Sequence, residues 1–243
     1  MKTVLLASLI LGAGLMASAQ PCPTACGSEA LKKDKIPLSK VISEPACLKR
    51  AADESNEDLA KQHKLTDFEI LARLVFAEGI STNLEKCDKY GASLFESLAW
   101  GVENRVALAK ASPAYAKMFG SGIQGVIFKK AQFNPAVSKK SSYSKLFLCP
   151  TEHPEWKKYW AYSTQAADKV MQDPKQNPFL KAGPQKHGVS AVTHFYYPHS
   201  SQATQPPVAW ADLSKSAAKK AYVKAVSIDG HAYSNECVQF FSY

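Results

Sequence analysis

The segment LTDFEILARLVFAEG, residues 65–79, decides the fold because it carries both the start signal and the apolar periodicity of a helix. Thr66 is followed three residues later by Glu69, which is the pattern of a capping box and predicts that a helix begins here. Apolar residues then recur at helical spacing. Gly79 is a residue type that commonly ends a helix in left-handed geometry. We therefore predict a helix that begins after Thr66 and ends near Gly79.

Glu78 lies close to the end of this segment and continues its apolar stripe. Because apolar residues stand three, four and seven positions before it, its carboxylate should point toward the protein interior. A buried carboxylate loses solvation, which raises its pKa and leaves part of it protonated near neutral pH. A protonated carboxyl is what a general acid needs. The alternative is a structural glutamate that pairs with a neighbouring arginine, either Arg73 or Arg105.

The rest of the chain predicts further helices followed by strands. Apolar residues recur at helical spacing over residues 93–109 and 154–171, and we interpret Gly101 as a sign of a close helix crossing. Residues 188–197 and 221–228 have the composition and alternation of strands. Helices that precede a small antiparallel sheet or hairpin predict an α+β fold.

The beginning of the chain has the layout of a cleavable secretion signal over residues 1–19, with an apolar run that ends in Ala17-Ser18-Ala19. We expect cleavage after Ala19 and export to the periplasm or the medium. A membrane-spanning helix needs about 20 apolar residues. No other segment is apolar enough, so we expect no stable membrane insertion. Residues 20–60 predict a polar arm that disulfides hold to a main domain over residues 61–243.

Net charge, cysteines and histidines indicate which partners, disulfides and metals to expect. The net charge of +9, which falls to +8 when Lys2 leaves with the signal, gives the protein an attraction to anionic polymers, which outside the cytoplasm are cell-wall glycans, teichoic acids and lipid head groups rather than nucleic acid. The alternative for the charge taken by itself is a well-solvated surface. Six cysteines in an exported chain predict a disulfide framework. Cys22 and Cys26 lack a second pair at zinc-finger spacing, and His194, His199 and His231 lack acidic residues at ligand spacing. We therefore expect no metal.

Several short motifs resemble, in the same order, those of the SleB-type cell wall hydrolases, the family that includes spore-cortex-lytic enzymes. These motifs are LARLVFAEG (71–79), VENRV (102–106), GVI (125–127), QF (132–133), FYYP (195–198), Trp210 and IDGHAY (228–233). Each motif alone is weakly specific. Their shared order over residues 65–233 carries the resemblance.

The resemblance implies a compact lysozyme-like catalytic domain that acts on the β-1,4 bond between N-acetylmuramic acid and N-acetylglucosamine in peptidoglycan glycan strands. Glu78 stands at the position of the family's catalytic glutamate. In lytic transglycosylase chemistry one acid suffices, because the muramyl 6-hydroxyl and not water attacks the anomeric carbon and gives a 1,6-anhydro sugar. We expect no cofactor and a monomer. Two alternatives stay open, namely a hydrolytic muramidase on the same fold and a non-catalytic wall-binding protein.

The chain departs from the family pattern after Glu78. A second glutamate usually follows shortly after the catalytic one, whereas here an enlarged loop carries Glu85, and Glu96 lies further along. Either of these residues is a candidate for the missing acid. Tyr197 stands where asparagine is common in the family.

Four further residues are predicted to bind substrate. Gln132 is expected to hydrogen-bond an N-acetyl group, and Phe133 beside it to lie in the core. Tyr196 and Tyr197 should point to opposite faces of a strand, so that one faces the cleft, where a tyrosine ring packs well on a sugar face. The alternative for them is a buried aromatic pair. Trp210 is interpreted equally as a platform beside the groove or as a core residue.

Overall fold

The computed structural model of the protein describes residues 44–224, 226–228, 230–232 and 237–243, and of residues 231 and 232 it describes the backbone alone. The predicted secretion signal over residues 1–19 and its cleavage site after Ala19 lie outside these described residues. So do Cys22 and Cys26 of the predicted arm. All described residues belong to one compact unit.

Helices occupy most of the first two thirds of the described chain. In order they are α1 (Asn56–Gln62), α2 (Asp67–Ser81), α3 (Leu84–Cys87), α4 (Gly91–Ala111), α5 (Pro113–Phe119), α6 (Gly122–Ile127), α7 (Asn134–Val137), α8 (Ser144–Leu148), α9 (Lys157–Gln172), α10 (Phe179–Ala182) and α11 (Ser216–Ala221). The strands are β1 (Gln185–Lys186), β2 (Val189–Ser190), β3 (Val192–Tyr196), β4 (Tyr222–Val223), β5 (Ser227–Ile228), β6 (His231–Ala232) and β7 (Gln239–Ser242). The predicted α+β class is confirmed.

Helix α2 begins where the sequence predicts, because the Thr66 hydroxyl accepts a hydrogen bond from the backbone N–H of Glu69. The helix continues past Gly79 to Ser81, so its end lies close to the predicted one, but Gly79 does not end it in left-handed geometry. Gly79 serves close packing instead. A Cβ at this position would lie 2.2 Å from the ring of Phe95 in α4. The missing side chain therefore lets α2 approach α4 closely.

Helices α4 and α9 confirm the two other predicted helices, and a short 3-10 turn over Pro154–Trp156 leads into α9. The three long helices pack through aromatic rings. Phe76 of α2 meets Trp160 of α9 edge to face, and Phe95 stacks on Tyr159. Gly101 does not mark a helix crossing as expected. A Cβ there would lie 2.7 Å from the ring of Phe195, so it lets strand β3 approach α4.

The sheet that borders the helices has the strand order β3-β7-β4, and both pairs are antiparallel. Its central strand, β7, has no counterpart in the sequence-based prediction. Phe240 in β7 lies opposite Phe195 on one side and Val223 on the other. The predicted strand over residues 221–228 is two separate strands, β4 and β5, and β5 pairs with β6 instead.

The predicted boundary between arm and domain at residue 60 falls inside helix α1, so the described part of the arm belongs to the packed body. Leu59 is 1 % exposed, and the N–H of Leu48 donates to the carbonyl of Leu148. A disulfide between Cys47 and Cys149 ties this segment down, as the sequence predicts for the arm. A second disulfide joins Cys87 to Cys237. Such bonds are typical of exported proteins.

Within the described ranges, the structure contains no helix with the length and hydrophobicity that crossing a bilayer requires.

Candidate active site

A cavity of about 330 Å³ opens beside the last turn of α2. It is lined by the predicted catalytic acid and by all four predicted substrate-binding residues, which are Glu78, Gln132, Tyr196, Tyr197 and Trp210. They come from four separate places in the chain, so the fold and not the sequence order brings them together.

Glu78 forms part of the cavity wall and is 7 % exposed. The hydroxyl of Tyr197 donates a hydrogen bond of 2.9 Å to its Oε2 atom. Burial raises the pKa of the Glu78 carboxyl from 4.5 to about 7, although the Tyr197 hydrogen bond and the positive charge of Arg105 both act to lower it. Near neutral pH the protonated and ionised forms of this carboxyl are therefore both populated.

The two arginines that could have made Glu78 a purely structural residue are engaged elsewhere. The guanidinium of Arg73 donates to the Glu69 carboxylate and to the carbonyl groups of Phe147 and Leu148. Arg105 donates to the carbonyl of Thr193 at 2.7 Å and to the Oε1 atom of Gln132 at 2.8 Å. Its positive charge still acts on Glu78 from a distance.

Helix α4 holds strand β3 in place beside the cavity. The buried side chain of Asn104 donates to the carbonyl of Val192 at 2.7 Å, and Arg105 donates to the next carbonyl along, that of Thr193. These two bonds fix the strand on the helix. They therefore position the end of β3, directly after which the Tyr197 hydroxyl donates to Glu78.

Gln132 lies in the loop between α6 and α7, next to Ala131, which has a left-handed backbone with φ of 64°. Its Oε1 atom accepts a hydrogen bond of 2.8 Å from Arg105. Because that bond fixes the amide orientation, the NH₂ group is the part left to donate to a ligand. Phe133 is 1 % exposed and lies in the core, as the sequence predicts.

Tyr196 and Tyr197 both line the cavity, so the expectation that only one would face it is wrong. The reason is that β3 ends at Tyr196 and its alternation stops there. The Tyr196 hydroxyl donates to the carbonyl of Thr204 at 3.3 Å, and its ring meets Trp210 edge to face. Neither tyrosine belongs to a fully buried pair.

Trp210 is 43 % exposed, which excludes the interpretation that it is a core residue. Its ring packs on Phe241 of β7 and on His194 of β3. The indole therefore lies at the cavity wall, in contact with two rings of the sheet and partly open to solvent.

The two candidates for a second acid lie away from the cavity wall. Glu85 is exposed on α3. The Glu96 carboxylate accepts hydrogen bonds from the indole N–H of Trp100 and from Lys169. Among the described residues that line the cavity, Glu78 is the one carboxylate.

Sequence patterns missed several lining residues, among them His194, Tyr143 and Gln202. Burial and the nearby Arg105 lower the pKa of His194 to about 4, so its ring is neutral at physiological pH. Tyr143 and Gln202 lie in polar loops with no periodicity that could reveal them. In the described part of the chain, no group of three or more His, Cys, Asp or Glu residues could hold a metal ion.

In comparisons with known proteins, no family model, no curated protein and no solved structure matches this chain.

Proposed function

We propose that this protein is a peptidoglycan lytic transglycosylase with a lysozyme-like catalytic domain and with Glu78 as its acid and base. The single observation that carries the proposal is a buried carboxyl with a pKa of about 7 in the wall of a cavity that has no other described carboxylate. A glycosidase that activates water needs two carboxylates. An intramolecular attack by the substrate's own hydroxyl needs one.

In the proposed reaction, protonated Glu78 donates its proton to the glycosidic oxygen, and the bond from that oxygen to C1 of the muramyl residue breaks. The leaving N-acetylglucosamine keeps this proton as a hydroxyl. The Glu78 carboxylate then accepts the proton of the muramyl 6-hydroxyl while that oxygen bonds to C1. The products are a 1,6-anhydro-muramyl end and a free sugar hydroxyl. Glu78 ends protonated, and no water is consumed.

The remaining cavity wall supports an aminosugar ligand. Tyr196, Tyr197 and Trp210 offer aromatic surfaces that pack on pyranose faces, and the tyrosines add hydroxyl groups. The free NH₂ group of Gln132 matches the carbonyl oxygen of an N-acetyl substituent. The net charge of +9 favours an anionic polymer.

Digestion of purified sacculi followed by mass spectrometry of the products tests the proposal. A lytic transglycosylase releases anhydro-muropeptides, which are lighter by one water than the products of a muramidase. Reducing ends without the anhydro form would identify a hydrolase. Intact sacculi that retain bound protein would identify a non-catalytic wall-binding protein, and either result contradicts the proposal.

Tyr197→Phe is expected to move the alkaline limit of activity to higher pH. The Tyr197 hydrogen bond stabilises the ionised carboxylate and so lowers the pKa of Glu78. Activity that needs the protonated form falls as the pH rises through that pKa, so removal of the bond extends activity above pH 7. The measurement is kcat/KM against pH. Tyr196→Phe is the matched control because its hydroxyl bonds Thr204, and equal profiles for the two variants would contradict the assigned role.

A further inference from the structure

The exposed large hydrophobic side chains of the described residues are Val208, Trp210 and Tyr243, which are 38 %, 43 % and 49 % exposed. Isolated exposed hydrophobic residues are normal on a protein surface. Here, however, Trp210 and Tyr243 both contact the ring of His194. The exposed aromatic surface is therefore concentrated at one place, next to the cavity that contains Glu78.

The rings form a continuous row that we call the aromatic ridge, consisting of Trp210, His194, Tyr243 and Tyr115. The centroid distances along it are 5.3 Å from Trp210 to His194, 5.9 Å from His194 to Tyr243 and 6.1 Å from Tyr243 to Tyr115. Trp210 and His194 line the cavity, whereas Tyr243 and Tyr115 do not. The aromatic ridge thus begins in the cavity wall and continues outside it.

A positive charge lies at the outer end of the aromatic ridge. The Nζ atom of Lys186 is 5.3 Å from the ring centre of Tyr243 and 5.8 Å from that of Tyr115. Lys186 is exposed and ends strand β1 just before a two-residue turn in which His187 and Gly188 both have positive φ. The hairpin therefore holds the ammonium group over the two tyrosine rings.

We propose that the outer half of the aromatic ridge is an accessory binding surface for the glycan strand. A sugar ring packs on Tyr243, and Lys186 binds a carboxylate of a muramyl residue or of its peptide stem. This proposal rests on the proposed function. Its support is the combination of a half-exposed tyrosine side chain, a cation placed beside its ring, and continuity with a cavity that already contains aromatic and amide groups suited to sugars.

The aromatic ridge predicts a dependence on ligand length. We expect a disaccharide to stay within the cavity and a longer chain to extend to Tyr243, which lies outside the cavity lining. Tyr243→Ala should therefore raise the Kd for chitohexaose and for soluble uncrosslinked glycan strands by about tenfold, as expected for loss of one well-placed aromatic contact. The Kd for chitobiose should stay unchanged. Lys186→Met should weaken binding of the carboxylated strands alone, since chitohexaose is neutral.

The experiment is isothermal titration of each variant in a Glu78→Gln background, which prevents cleavage of the ligands. Lys181→Met is the matched control, because Lys181 is exposed and lies in α10 without a described contact to an aromatic ring. Circular dichroism checks that Tyr243→Ala is folded, and Lys186→Met tests the same surface without altering a ring. If neither substitution changes the Kd at any chain length, the accessory surface is refuted.

The outcomes separate this proposal from the proposed function. If the wild type releases anhydro products but Tyr243→Ala and Lys186→Met both bind long chains normally, the accessory surface alone is refuted. If long chains bind through Tyr243 but sacculi are not cleaved, the catalytic assignment alone fails. Sedimentation velocity tests whether a second copy of the chain occupies this surface instead. A dimer that Tyr243→Ala abolishes, together with an unchanged glycan affinity, would show that it does.

Discussion

Glu78→Gln is expected to lower the rate of glycan cleavage by about a thousandfold, within the range of a hundredfold to ten-thousandfold that general acid catalysis contributes. Glutamine keeps the size of the side chain and can still accept the hydrogen bond from Tyr197. It cannot give a proton to the glycosidic oxygen. The measurement is the release of soluble muropeptides from purified sacculi at pH 6, where most of the wild-type Glu78 is protonated.

Glu85→Gln and Glu96→Gln are the controls for this loss of activity. Both glutamates are candidates from the sequence for the missing second acid, and neither lines the cavity. Glu85→Gln should retain wild-type activity because the residue is exposed. A Glu78→Gln enzyme that cleaves sacculi as fast as the wild type would refute the site. Loss of activity in Glu85→Gln would assign a catalytic role to the enlarged loop.

The same Glu78→Gln substitution is expected to stabilise the folded protein in alkaline solution. Burial raises the pKa of Glu78 from an ordinary value of 4.5 to about 7, so ionising the carboxyl in the folded state costs about 3 kcal/mol more than in the unfolded chain. Below pH 4.5 the Glu78 carboxyl is protonated in both the folded and the unfolded state, so its burial requires no ionisation and its contribution to stability is full. That contribution is lost as the pH rises from 4.5 through about 7. Urea unfolding at pH 4, 6 and 8.5 measures it.

At pH 4 the wild type and Glu78→Gln should have similar free energies of unfolding, and at pH 8.5 the variant should be more stable by about 3 kcal/mol. Glu103 is the control because burial also raises its pKa to about 7, although it does not line the cavity. Glu103→Gln should flatten the pH dependence of stability without loss of activity. An equal stability difference between wild type and Glu78→Gln at all pH values would contradict the buried, partly protonated state of Glu78.

The long helices could be predicted from the sequence because their signals are local. Thr66 caps α2 through a bond three residues away, and the apolar spacing of α4 and α9 repeats over several turns. Gly79 and Gly101 misled the prediction, since their role depends on rings that approach from distant segments. At both positions the glycine allows a ring to approach the helix closely. The glycine itself does not say which neighbour takes the space.

The sheet was less predictable because its central strand is short and its partners are far away in the chain. Strand β7 pairs with β3 and β4, and no pattern within its four residues distinguishes it from a buried turn. The position of Glu78 followed from one apolar stripe. Contacts that only the folded chain creates account for the hydrogen bond from Tyr197 to Glu78, the orientation of Gln132 and the neutral state of His194.

The place of β7 at the centre of the sheet has a consequence for the order of folding. The helix that carries Glu78 can form from local contacts before residues 239–242 join the sheet, but β3 then lacks the strand that pairs with it among the described residues. Tyr197 and Trp210 cannot take up their positions until β7 is added, because β3 pairs with β7 and Trp210 packs on Phe241. The wall of the cavity around Glu78 is thus completed only when the middle strand has joined the sheet.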